Sequence, residues 1–251
     1  MKALPLALAA VAAALISAPA QAQDGWGVAA DVGLGAKYAP DWMGSEDMET
    51  SPWVILRNFD LVRPGQATTS DGSADGFAVL PSFNYRGGRD ADDGDALAGL
   101  DDIDASGEIG VRLKYSVGDA FGYVAARKGF GGHDGIAGEF GAKYRIKPSE
   151  RLTLWAGAKA DFGDDEFVDT YFGVTAAESA ASGHEAYSPG GGIYSHSLSL
   201  EWRYALTDSL ALLGEARYTK LTGDAADSPF IEDTTQSSVR LGIVHRFNFR
   251  F

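Results

Sequence analysis

The end of this chain alternates, and the alternation fixes what kind of surface it can face. Reading back from Phe251, residues Phe249, Phe247, His245, Ile243, Leu241 and Val239 fall on one face of an extended strand. Arg250, Asn248, Arg246, Val244, Gly242 and Arg240 fall on the other. Side chains of a strand point to opposite faces with a period of two. One face is therefore almost wholly apolar or aromatic, and the other carries three arginines. Such a strand suits a wall with hydrocarbon outside and water or packed polar groups inside, which is the pattern of a transmembrane β-barrel.

The other end of the chain agrees. Lys2 provides a short positive region, residues 3–16 form an apolar run, and Ala20-Gln21-Ala22 is a small-residue cleavage site. Residues 1–22 are expected to be a cleaved signal peptide, leaving 23–251 as one barrel domain. A spanning helix is the alternative, but the run is short and Pro19 interrupts its end. Beyond residue 22 the sequence holds no apolar run long enough for such a helix. A chain without one crosses a bilayer only as a closed barrel, because every backbone donor must find a partner. The net charge of -14 argues against nucleic acid as a partner. Cysteine is absent, so no disulfide framework is in use.

Alternating segments recur along the chain. Ile109, Val111, Leu113, Tyr115 and Val117 oppose Glu108, Gly110, Arg112, Lys114 and Ser116. Leu198, Leu200, Trp202 and Tyr204 oppose Ser197, Ser199, Glu201 and Arg203. The segments are joined by tight turns near 118–119, 147–151 and 206–209, and by long acidic loops at 39–50, 86–105, 164–190 and 222–235. Outer-membrane barrels place short turns in the periplasm and long loops outside. With both termini periplasmic, the strand number is even: ten if 167–189 is one loop, twelve if it holds two further strands. The 60–74 connection is unusually long for a periplasmic turn. Aromatics such as Trp26, Tyr38, Trp53, Tyr85, Tyr115, Tyr144, Phe162, Tyr204 and Tyr218 lie near strand ends, as interfacial girdles require. A soluble β-sandwich is the competing architecture.

Several stretches resemble the MipA/OmpV family of outer-membrane proteins. They are Gly33-Leu34-Gly35-Ala36-Lys37-Tyr38-Ala39-Pro40 with Gly44-Ser45 and Pro52, then Tyr171-Phe172-Gly173-Val174-Thr175, then Tyr187-Ser188-Pro189-Gly190-Gly191-Gly192, and finally the run around Asp224, Asp227, Ser228 and Pro229. The chain departs from the family's ending, where His245-Arg246-Phe247 is extended by four residues to Phe251. The resemblance implies an outer-membrane barrel. It further implies a scaffold of the cell envelope, since the family takes its name from a member that links a murein transglycosylase to a peptidoglycan synthase. Other members resemble surface antigens, adhesins or permeability factors. The terminal strand, with Ile243, Phe247, Phe249 and Phe251, resembles the sorting signal of such proteins. Outer-membrane lipid, lipopolysaccharide and the barrel-assembly machinery are the expected partners of a chain of this kind.

Three places invite a functional reading. The first is the lumen, where parity places Glu108, Arg112, Lys114, Glu139, Lys143, Arg145, Glu201, Arg203, Glu215, Arg217, Arg240 and Arg246, with Asp31, Lys37 and Lys159. A ten-stranded barrel is narrow, so these side chains either plug it or line a narrow conduit for small solutes. The second is the acidic loops. The run Asp90, Asp92, Asp93 and Asp95 offers oxygen ligands for a divalent ion, but its spacing fails the EF-hand pattern, and solvated loops are the better explanation. The third is catalysis. Adjacent His196 and Ser197 fall on opposite faces and cannot share a proton, and no zinc-binding spacing occurs. No enzyme activity, cofactor or metal is expected.

Overall fold

The computed structural model describes residues 26–62 and 75–250. The expected signal peptide, the 63–74 part of the long connection and Phe251 lie outside the described residues. Ten antiparallel strands dominate: β1 (Gly27–Pro40), β2 (Met48–Val62), β3 (Gly76–Arg86), β4 (Ser106–Val117), β5 (Ala120–Gly131), β6 (Ile136–Ile146), β7 (Leu152–Gly163), β8 (Gly192–Ala205), β9 (Leu210–Leu221) and β10 (Thr235–Arg250). The region that left twelve strands open holds two helices instead, α1 (Asp165–Phe172) and α2 (Ala176–Ser182). Asp164 caps α1 by accepting from the Phe167 amide, and Thr175 and Glu178 form a capping box at α2. Those caps, together with Ala-rich composition, favour helix over strand there.

Strands adjacent in sequence pair throughout, except β2 with β3, and β1 pairs with β10. The first and last described strands therefore lie side by side, with Lys37 opposite Arg240 and Asp31 opposite Arg246. Gly33 and Gly35 permit this approach, since a Cβ on either would collide with the backbone carbonyl of Ile243 or Leu241. Among the described residues no ladder joins β2 to β3, so the seam of the cylinder falls there. Each of those strands carries a proline, Pro52 and Pro81, which removes a ladder donor and suits an edge.

Two contacts show that the sheet is curled. Arg57 on β2 donates to Glu201 on β8 at 3.3 Å, and Arg86 on β3 donates to the Tyr194 hydroxyl on β8 at 3.2 Å. In the sheet order these strands are four and five positions apart. In a flat sheet that is roughly 19 and 24 Å at about 4.8 Å per strand. Both edges instead reach the same strand across an enclosed lumen.

The outer wall is apolar. Leu34, Phe77, Val79, Leu113, Leu198, Leu241 and Ile243 are exposed side by side on it. A wall this large and greasy suits hydrocarbon and not water. Tyr38, Tyr85, Phe130 and Tyr218 ring the long-loop end, and Trp26, Phe77, Tyr115, Tyr144 and Tyr204 ring the short-turn end; all are exposed. Trp53 is the exception to the girdle expectation. It turns inward, where its ring lies 4.5 Å from the Arg240 guanidinium.

Candidate functional site: the charged lumen and its cap

Inward-facing positions follow strand parity. The described charges on this face are Asp31 and Lys37 on β1, Glu49 and Arg57 on β2, Arg86 on β3, Glu108, Arg112 and Lys114 on β4, and Arg127 on β5. They continue with Glu139, Lys143 and Arg145 on β6, Lys159 and Asp161 on β7, Glu201 and Arg203 on β8, Glu215 and Arg217 on β9, and Arg240 and Arg246 on β10. Thirteen basic side chains thus share the described wall with seven carboxylates.

Six of these carboxylates are held by cations from their own strand, from a neighbour or from farther round the barrel. Glu108 accepts from Arg86 and, at 2.9 Å, from Arg127. Glu139 pairs with Arg112 at 2.6 Å and Lys159 at 3.0 Å. Lys159 also reaches Asp161. Glu201 bonds Lys143 and Arg57. Glu215 takes Arg217 at 2.9 Å and Arg240 at 2.6 Å. Asp31 accepts from Arg246 at 3.2 Å, with both groups buried. Arg145, near the short-turn rim, binds Asp119 of the turn at 2.8 Å. Charges taken from water persist when paired and hydrogen-bonded in this way.

Sequence reasoning left several members unassigned. Phe121 and Tyr123 face inward; Lys114 lies 4.5 Å from the Phe121 ring and Arg112 4.9 Å from that of Tyr123. Arg57, Arg86 and Arg127 belong to the same wall. The parity of β5 carried the signal for Arg127, because it shares a face with Phe121 and Tyr123. At the short-turn end, Ile55, Ala211, Leu213 and Val244 form a small apolar cluster inside the barrel, with Trp53 packed on it.

The long loops fold over the opposite mouth as a packed cap. One cluster joins Phe167, Val168, Tyr171 and Phe172 of α1 with Ile103, Tyr194, Leu221 and Ala225. A second joins Trp42, Leu97, Leu100, Val174 and Phe230. Phe167, Phe172 and Phe230 are at most 1% exposed. Four separate loops therefore meet in one core above the lumen. Arg89 ties them further: it donates to the Tyr171 carbonyl at 3.2 Å and stacks on Phe230 at 5.0 Å.

The acidic runs do work inside this cap, holding backbone donors. Asp164 accepts from Ile136 N and Phe167 N, Asp102 from Ala91 N, Asp165 from Gly191 N and Asp224 from Gly190 N. Asp233 accepts from Thr235 N at 2.7 Å. Loop amides that strands and helices leave over are satisfied here by carboxylates. Among the described residues no group of three or more His, Asp or Glu side chains is arranged to hold a metal ion.

The histidines are dispersed. His196 is exposed on the outer wall, while Ser197 is buried and lies 2.8 Å from Thr219 Oγ1. His245 is on the outer wall, and His184 contacts the Ala96 carbonyl. His133 is fully buried between cap and barrel: its ring is 5.1 Å from Phe167 and 5.5 Å from Tyr171, and Nε2 is 3.5 Å from Glu108. Burial holds its imidazole below the usual histidine range, against the pull of Glu108. Burial works in the opposite direction on Glu178, but the amides of Asp101 and Thr175 and the charge of Arg89 outweigh it and keep that carboxyl below its usual range.

The family model described as MltA-interacting protein MipA matches residues 32–247. The chain belongs to the MipA family. The MltA-interacting protein of Escherichia coli (strain K12) is 30% identical over 96 residues, which is 38% of this chain and 38% of that protein. The outer membrane protein Omp26La of Vibrio anguillarum is 25% identical over 163 residues, 63% of this chain and 61% of its own length. The chain thus spans well under half the length of the first of these relatives. Neisserial surface protein A superposes with a TM-score of 0.30 at 10% identity, over 90% of this chain and 97% of that one. The fold assignment rests on the strand ladders and the apolar wall. Members of the family are outer-membrane proteins by name, and this barrel is one in location.

The residues that carry the family resemblance gather mostly in the cap. Tyr171 and Phe172 are core residues of α1, Val174 bridges to Tyr187 through backbone hydrogen bonds, and Ser228 donates to the Phe172 carbonyl. Gly173 closes α1, and Asp224, Asp227 and Pro229 sit at the surface around that contact. On the last strand Ile243 is exposed, and Phe247 and Phe249 stack with an interplanar angle of 2°.

Proposed function

We propose that this protein is a non-enzymatic anchor of the outer membrane, whose barrel holds envelope machinery from its periplasmic turns. The observation that carries the proposal is the cap. Phe167, Phe172 and Phe230 are buried in a core that the long loops build over the outer mouth, which favours a plugged barrel over an open pore. A protein that does not conduct still offers the membrane a rigid, charge-braced post. The Escherichia coli relative is named for interacting with MltA, and the family resemblance implies a murein transglycosylase as the cargo, with a peptidoglycan synthase as the second member of the assembly. The outer wall would meet outer-membrane lipid and lipopolysaccharide, and the terminal strand would present Ile243, Phe247, Phe249 and Phe251 to the barrel-assembly machinery.

Photo-crosslinking residues placed in the turns at 118–119, 147–151 and 206–209 test this. Capture of a murein transglycosylase from at least one turn is the expected result. Capture from none, with the barrel folded and abundant, would refute the scaffold.

A narrow conduit is the second reading, favoured by arginines that remain accessible inside the lumen, such as Arg112 and Arg57. It requires the cap to move. A reproducible open state of the purified protein in a planar bilayer would favour it over the anchor.

A further inference from the structure

Four carboxylates of the lumen wall lie deeper than four of its arginines. The side chains of Asp31, Glu108, Glu201 and Glu215 are between 0% and 7% exposed, pressed against the wall. Arg112, Arg57, Arg240 and Arg217 are 38%, 32%, 29% and 25% exposed while facing inward. What the enclosed space meets is therefore guanidinium. The carboxylates are spent on the near side of the arginines, and the far side is turned to the lumen. The basic side chains of the described wall also outnumber the acidic ones by thirteen to seven.

The arginines are held for recognition. Arg112 stacks on Tyr123 and Arg240 on Trp53, which fixes each guanidinium plane. Nε of Arg112 and Nε of Arg240 are buried donors with no acceptor among the described residues. A fixed fork of donors with spare hydrogens matches phosphate and carboxylate oxygens. Net positive charge inside low-dielectric walls focuses the field on an anion within. The outside of the cap is acidic and its core is packed, so an anion meets repulsion and a closed surface there.

We propose that the lumen binds small multivalent anions, bearing phosphate or clustered carboxylates. This is independent of the scaffold reading and does not need conduction.

Calorimetric titration of the purified, detergent-solubilised barrel with inorganic pyrophosphate, at ionic strength held constant with KCl, tests it. Saturable binding of pyrophosphate is expected, with spermidine giving none. The Arg217→Gln/Arg240→Gln double variant should lose at least ten-fold in affinity. Arg217→Lys/Arg240→Lys, which keeps the charge but not the fork, should recover part of the loss. Heat-modifiable gel mobility verifies that each variant is folded, and the wild-type titration stands whether or not a variant folds. Phosphatidylglycerol doped into the micelles should not compete, because acyl chains stay outside the wall. Absence of saturable binding, binding unchanged in the Gln variant, or competition by the lipid would each overturn the proposal.

Discussion

Ser228 Oγ donates to the Phe172 carbonyl at 2.7 Å, and both residues are buried. The bond joins the loop before β10 to the last turn of α1, so it ties two of the four loops of the cap together. Ser228→Ala leaves that carbonyl buried and unpaired, which costs about 1–3 kcal/mol. Hydrogen exchange of residues 165–182 should therefore speed up by about ten-fold or more, while the strands stay protected. Unchanged exchange would mean that the bond does not hold the cap.

Phe230 is the apolar counterpart. It lies 5.8 Å from Trp42 and beneath Arg89. Phe230→Ala removes a fully buried ring, at about 3–5 kcal/mol to the cap. If the cap is what keeps the lumen shut, single-channel recordings should show openings in this variant and silence in the wild type.

Acid should loosen the cap in two steps. His133 is held below its ordinary 6.5 by burial, so the unfolded loop binds a proton more readily than the folded one. Stability from this site is present above that value and is lost as pH falls through it. Glu178 is held below its ordinary 4.5, so its contribution is likewise lost as pH falls through that range. Exchange of residues 165–182 should rise first below about pH 6.5 and again below about pH 4.5. His133→Gln should abolish the first step and Glu178→Gln the second.

Glu201 balances Lys143 and Arg57 across the lumen. Glu201→Gln leaves two cations facing one another. Breaking a buried pair costs about 3–5 kcal/mol, and Arg57 is partly in water, so the lower end applies. Thermal unfolding in detergent should record the loss, and Lys143→Met added to Glu201→Leu should recover much of it.

The outer wall gives the simplest check on orientation. Leu241 is exposed near the middle of β10. Leu241→Arg should cost about 2–4 kcal/mol if hydrocarbon covers that position. An unaltered folding yield in lipid vesicles would place the residue in water.

The wall was legible because a strand forces a period of two. Leu113 and Arg112 must part company, as must Ile243 and Arg246, and no packing partner is needed to know it. The tight turns and acidic loops separated the two ends of the barrel by length alone. Which cation meets which carboxylate was not legible. Arg57 and Glu201 are 144 residues apart, and only register and curl bring them together. Trp53 was misplaced for a related reason: a ring near a strand end suits a girdle, but here the Arg240 guanidinium receives it inside. The cap was the least readable part. Phe172, Leu97, Trp42 and Phe230 come from four loops with no shared period, and the exposed loop carboxylates also accept from backbone amides.

Alternation along each strand determined that this chain curls a greasy face outward around a charged one, because neighbouring side chains on an extended backbone have no choice but to oppose. Tertiary structure alone decided that four loops pack together at the long-loop end and that Arg57, Arg112, Arg217 and Arg240 stay partly exposed within. Those outcomes depend on contacts between segments far apart in the chain, where loop packing and the depth of each side chain are set by neighbours that no local pattern specifies.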